Sequence, residues 1–190
     1  MGIFPWYSHT EPIIWWSPDP RFILETASLK ISKSMRQVLR RNQFRFTFDQ
    51  AFSDVITQCK QIYRKDQSGT WITNDMLSAY EELHRLGFAH SVEVWENEQL
   101  VGGLYGISLG HCFFGESMFA NVSNASKAGF ITLVQTLEKQ GFTWIDCQVH
   151  TDHLETLGAE EIPREEFLSK LEIGLTKPTY QGNWQKLFLS

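Results

Sequence analysis

A mixed α+β domain is predicted by three observations along this 190-residue chain. Apolar residues recur at helical spacing before Gly87, the period changes to two between residues 91 and 119, and a helical stretch after that leads to one more apolar strand. Residues 1–28 are expected to be irregular, because prolines at 5, 12, 18 and 20 in GIFPWYSHTEPIIWWSPDPR forbid a continuous helix or central strand. Packing of their aromatic rings must hold them. A helix is expected over about 33–41, a short strand over 43–47, and a second helix over about 49–64 with Thr47 or Asp49 as its cap. The chain then turns at Ser68-Gly69. Thr73 or Asn74 caps a helix that carries Met76, Leu77, Tyr80, Leu83 and Leu86 on one face and stops at Gly87.

From residue 91 the runs SVEVWE, QLVGGLYGIS and HCFFGESMF alternate and are separated by short turns, which reads as an antiparallel meander. A helix of about 124–140, capped by Asn121 or Ser123 and ended by Gly141, crosses over to the strand TWIDCQVH, so the last two strands should be parallel. A further helix over about 163–172 opens at Pro163. This order of helices, meander, helix, strand and helix is that of the acetyltransferase-like (GNAT-type) α+β fold. The expected division is a remnant N-terminal segment, 1–28, packed on a catalytic domain, 29–190.

A composition of 42% hydrophobic and 21% charged residues is that of a globular protein, and seven tryptophans exceed what a core of this size needs, so some should face ligands. Three cysteines without framework spacing, and an N-terminus lacking the regions of a signal peptide, point to a reducing cytoplasm. No apolar run approaches the roughly 18 residues of a membrane helix, and Trp6 stands where a myristoylation signal needs Ser or Thr, so no membrane anchoring is expected. The net charge of −5 opposes a protein that coats nucleic acid through its overall field. A local patch remains: Lys30, Lys33, Arg36, Arg40, Arg41 and Arg45 fall in a stretch with no acidic residue, either a binding surface or a solvated helix face.

Glu116 in FFGESMF, and Asp146 with Gln148 in WIDCQV, are polar residues inside apolar strands. Burying a carboxylate without purpose is costly, so these three are the candidates for chemistry. Residues two apart on a strand share a side, which makes Asp146 and Gln148 neighbours and turns Cys147 away. Cys147, His150 and His153 have a metal-like spacing, but the cysteine should face the wrong side and no further ligand pair exists, so no metal is expected. Gly102, Gly103 and Gly106 inside a strand suggest a bulge or the close approach of a ligand. The Q/R-x-x-G-x-G/A cradle for a coenzyme pyrophosphate is absent from the sequence.

The segments GIFPWYS, IIWWSPDPR, GTWIT, HSVEVWENEQLVGGLYG, FFGESMF, NASK and IDCQV occur here in the order in which they recur in leucyl/phenylalanyl-tRNA–protein transferases, a family that the chain resembles over nearly its whole length. The resemblance implies an acetyltransferase-like domain that uses charged tRNA in place of acetyl-coenzyme A, without a cofactor. It implies transfer of Leu or Phe to proteins beginning with Arg or Lys, which marks them for degradation by the N-end rule. Relatives have a longer portion before GIFPW, Gln37 stands where they carry basic residues, and Leu104 stands where some have methionine.

By the same resemblance, Asp146 polarises Gln148 as a relay toward the acceptor amine, with direct action by Asp146 or substrate assistance as alternatives. Glu116 would orient the amine or the acceptor's basic side chain. Leu104, Phe113, Met118 and Ile145 would line the pocket for the transferred side chain, although all four also suit a core. Trp6 and Trp71 would hold the terminal adenosine, and Lys33, Arg36, Arg40 and Arg41 are expected to contact tRNA phosphates. A monomer is expected. The rival readings are a coenzyme A-dependent N-acyltransferase and a noncatalytic tRNA- or peptide-binding module.

Overall fold

The computed structural model of the chain describes residues 2–7, 12–62 and 72–188. Two short strands, β1 (Phe4–Pro5) and β2 (Trp15–Trp16), pair antiparallel as a ribbon of their own. Strand β3 (Arg21–Glu25) follows, then helix α1 (Lys33–Arg40), strand β4 (Arg45–Phe48), and helices α2 (Phe52–Gln61) and α3 (Asn74–Arg85). The meander is β5 (Ala89–Glu96), β6 (Gln99–Leu109) and β7 (Cys112–Ala120). Helix α4 (Ala125–Lys139) crosses to β8 (Trp144–Gln148), and α5 (Asp152–Glu155), β9 (Glu160–Ile162), α6 (Arg164–Leu175) and α7 (Trp184–Phe188) complete the described chain.

Seven strands form one mixed sheet in the order β4-β5-β6-β7-β8-β3-β9. Strands β7 and β8 are parallel, as the crossover requires, and the other neighbours are antiparallel. The parallel pair is short: Phe113 and Phe114 face Ile145 and Asp146, and beyond them the two strands part. That divergence leaves room between their carboxyl ends, the place where open sheets take ligands.

The lead segment is less irregular than expected. RFILE forms β3 in the interior of the sheet, between β8 and β9. Four of its five residues are buried, so it lacks the alternation of a half-exposed strand, and Pro20 immediately precedes it without interrupting a ladder. Two expected caps also differ. Asp49 does not cap α2, which begins after Ala51 without a side-chain cap; it accepts instead from the N–H groups of Ser91 and Trp184. Helix α4 begins after Asn124, in a left-handed conformation, and not at Asn121 or Ser123. Thr73 caps α3 by accepting from the Met76 N–H.

Alternation along β6 separates two cores. Leu104 packs with Val92, Val94, Phe130 and Val134 under α4, whereas Tyr105 packs with Val55, Ile56, Tyr80 and Phe119 under α2 and α3. A third cluster joins Ile23 and Trp144 to Phe167 and Leu171 of α6. Gly102 lets α4 approach, since a Cβ there would lie 2.7 Å from the Ala125 Cβ. Gly106 occupies the expected bulge, where the register against β7 shifts and a Cβ would meet the Phe114 carbonyl at 2.2 Å. The glycines thus answer to packing. Among the described residues no helix is long and apolar enough to cross a membrane.

Candidate active site

A pocket of about 420 Å³ opens where β7 and β8 part. Leu104, Phe113, Met118, Phe130 and Leu154 give it apolar walls, Trp6 of the aromatic ribbon reaches it from outside the sheet, and Glu116, Asp146 and Gln148 supply polar groups. Convergence of a few polar groups on an apolar cleft is the usual form of a small-ligand site.

Asp146 is fully buried and belongs to an ion pair that local sequence does not reveal. Arg21 of β3, 1% exposed, donates through Nε to Oδ1 at 2.9 Å and through Nη2 to Oδ2 at 2.6 Å. Oδ1 also accepts the Gln148 backbone N–H at 2.9 Å. Burial pushes the Asp146 carboxyl above its ordinary range, and the Arg21 fork opposes that shift. With three donors on its two oxygens, Asp146 is built to hold neighbours in place.

Gln148 ends β8 with φ +65°, and Val149 N–H returns to the Cys147 carbonyl at 2.8 Å, closing a tight three-residue turn. A left-handed glutamine is disfavoured by about 1–2 kcal/mol, so its surroundings must impose it. The result aims its carboxamide across the gap, where Nε2 donates to Glu116 Oε2 at 3.2 Å. This differs from a side-chain relay, because Asp146 meets the backbone of Gln148 and not its amide group. Glu116 also receives a hydrogen bond from the hydroxyl of Tyr80, a residue read from sequence only as part of an apolar helix face. Burial raises the Glu116 carboxyl to about 7 against the lowering influence of Gln148, Tyr80 and the more distant Arg21 charge. A carboxyl titrating near neutrality in a pocket suits proton transfer.

Two further wall residues escaped the sequence reading. Cys147, expected to face away, lines the pocket because the cleft opens between strands and reaches both sides of β8. Burial raises its thiol far above the ordinary range, so it is an inert wall group. His153 lines the pocket with a buried Nε2 that has no hydrogen-bond partner among the described residues, and burial with the Lys127 charge lowers its pKa. A metal-like group does occur outside, where exposed His150, Asp152 and Glu155 bring ligand atoms within 4.8 Å of one another. Neither Cys147 nor His153 belongs to it.

The description "Leucyl/phenylalanyl-tRNA protein transferase" matches residues 23–172, and that of the same protein's N-terminal domain matches residues 1–19. A protein named leucyl/phenylalanyl-tRNA–protein transferase from Syntrophus aciditrophicus is 56% identical over 184 residues, covering 97% of this chain and 77% of its own. The namesake from Flavobacterium johnsoniae is 57% identical over 171 residues, covering 90% and 81%. This chain belongs to that family.

It is accordingly an aminoacyltransferase, acting from aminoacyl-tRNA onto protein. Among solved structures, a conserved protein of unknown function from Staphylococcus epidermidis matches the fold with a TM-score of 0.50 at 10% identity, covering 76% of this chain and 57% of its own. Of the residues expected at the transferase site, Trp6, Leu104, Phe113, Glu116, Met118, Asp146 and Gln148 line this pocket. Ile145 does not. It is fully buried opposite Phe113, within the core cluster under α4. Trp71 lies outside the described residues. Lys33, Arg36, Arg40 and Arg41 are exposed on and just after α1, away from the pocket lining.

Proposed function

We propose that this transferase moves Leu or Phe from charged tRNA to the α-amine of proteins beginning with Arg or Lys, marking them for N-end rule degradation, and that it works as a cytoplasmic monomer without a cofactor. The observation that carries the reading is Glu116, a carboxyl raised to about 7 by burial and facing an apolar pocket beside Gln148. The transferred side chain occupies the walls formed by Leu104, Phe113 and Met118, and the acceptor amine meets Glu116 and Gln148. The aminoacyl ester is already activated, so positioning supplies much of the rate.

An α-amine has a pKa of about 7.7–8.0 and is mostly protonated at neutral pH. Glu116 first holds it as the ammonium and takes one proton. With Nε2 committed to Glu116, Gln148 offers Oε1 to a remaining amine N–H. The neutral amine then attacks the ester carbonyl, the amide bond forms as the ester C–O bond breaks, and the ribose hydroxyl leaves with a proton from the amine. Trp6 supports the terminal adenosine at the mouth, and the exposed cations of α1 contact phosphates further along the tRNA.

The test incubates purified protein with radiolabelled Leu-tRNA and peptides beginning with Arg, Lys or Ala, with labelled acetyl-coenzyme A in parallel. Label should pass from the tRNA to the Arg and Lys peptides and not to the Ala peptide. Transfer from the coenzyme alone would overturn the assignment.

A further inference from the structure

We infer that Arg21 is a positioning residue for aminoacyl transfer: its guanidinium fixes Asp146 so that Gln148 keeps the left-handed backbone that presents its carboxamide to Glu116. The inference rests on the proposed transfer reaction, and it assigns work to a residue that touches no substrate.

The geometry is over-determined at the guanidinium. Nε and Nη2 hold both Asp146 oxygens, while the carbon of the fork lies 4.9 Å from the ring centre of Phe4 and 4.5 Å from that of Phe167. Nη1 is buried and has no hydrogen-bond partner among the described residues, so Asp146 supplies all of the hydrogen bonding seen at this group. Only a planar, forked cation can lie against two aromatic faces and grip a carboxylate with two bonds.

That grip is transmitted by one atom. Asp146 Oδ1, held by Arg21 Nε, accepts the Gln148 N–H, and Gln148 is where the chain takes φ +65°. The other non-glycine residues with positive φ among those described are Asn42, Asp49, Asn97, Glu98 and Asn124, all outside the regular elements. Gln148 alone among them ends a central strand of the sheet, and its side chain enters the pocket. Phe4 extends the same linkage to the ribbon, because it stacks on Arg21 and stands two residues before Trp6 at the pocket mouth.

The test compares wild type, Arg21→Lys and the double variant Arg21→Met/Asp146→Leu, which removes both charges and leaves none unpaired. Melting temperature, kcat, the KM for Leu-tRNA and for an Arg peptide, and hydrogen exchange at the Gln148 amide are measured on each. Both variants should lose at least tenfold in kcat, and the Gln148 amide should exchange at least tenfold faster, while the double variant melts close to wild type. If the double variant does not fold, Arg21→Lys carries both readouts. Recovery of turnover together with melting temperature in the double variant, or unchanged exchange at Gln148 in Arg21→Lys, would overturn the inference. Wild-type protein that transfers no label from Leu-tRNA would instead bring down the reaction on which the inference rests, and the two failures are told apart by that control.

Discussion

Two glutamates are embedded in apolar strands of one sheet, Glu93 in β5 and Glu116 in β7, and their surroundings differ in kind. Glu93 is fully buried, and its oxygens accept from the hydroxyls of Thr47 and Ser91, each at 2.5 Å, with the Gln50 N–H at 3.4 Å. Asp49 beside it is filled in the same way by His90, Ser91 and Trp184. Neither acid lies in the pocket lining. Glu116 is only half-buried, has a carboxamide and a phenol as partners, and opens onto the cleft. An acid in an apolar strand is therefore not a sign of chemistry. What separates the functional carboxyl from the structural one is that it opens onto a cavity, with its proton affinity raised there.

The largest expected effect tests that distinction at the pocket. Glu116→Gln keeps the shape and removes the proton acceptor, so kcat for Arg-peptide aminoacylation should fall on the order of a hundredfold with little change in melting temperature. Steady-state kinetics beside thermal melts decide the matter, and turnover within threefold of wild type would place Glu116 with Glu93 among structural acids.

Glu93→Gln should show the opposite pattern. The substitution turns one acceptor oxygen into a donor facing Thr47 and Ser91, which costs about 1–3 kcal/mol for a hydroxyl left without its partner. Denaturant unfolding should report that loss, while kcat per folded molecule stays at the wild-type value. A kcat that dropped as far as in Glu116→Gln would erase the comparison.

How far each end of the sheet was legible follows from the range of the interactions involved. The meander and the parallel crossover are local patterns, and the alternation of SVEVWE, QLVGGLYGIS and HCFFGESMF, followed by a helical stretch and one more apolar strand, was enough to place them. Glu93 attracted no notice, because the hydroxyls that satisfy it come from β5 itself and from β4, which lies 46 residues upstream. Arg21 stood in WWSPDPR without any local sign that it pairs with Asp146, 125 residues away. Tyr80 looked apolar because helical spacing reports the ring and says nothing of where the hydroxyl ends. The strand β3 was hidden by burial on both faces, and Ile145 packs in the core because whether an apolar strand residue meets a cleft or the core is a property of the folded sheet.

The third test concerns the indole at the mouth. Trp6 is 40% exposed, whereas Trp184 is fully buried against His90, so only the second serves the core. Loss of a base stacked on Trp6 removes roughly 1–3 kcal/mol, about five- to a hundredfold in affinity. Trp6→Ala should bind Leu-tRNA that much more weakly and keep its melting temperature. Binding equal to wild type would remove Trp6 from the adenosine site.

The smallest effect lies in the pH dependence and reads Glu116 directly. Its carboxyl is raised from an ordinary 4.5 to about 7, chiefly by burial. At constant peptide concentration, kcat/KM should rise roughly tenfold between pH 6 and 8 as Glu116 ionises, with the acceptor amine adding its own inflection near 7.7–8.0. Stability runs the other way: a carboxyl with a raised folded pKa favours folding while protonated, so that contribution is complete below about 4.5 and is lost as pH rises through about 7. Glu116→Gln should therefore lack the lower kinetic inflection, keep the amine's, and show a flatter stability curve between pH 5 and 8. Glu93→Gln, altered at an acid outside the pocket lining, should retain the lower inflection. Its persistence in Glu116→Gln would show that the group titrating near neutrality is another one.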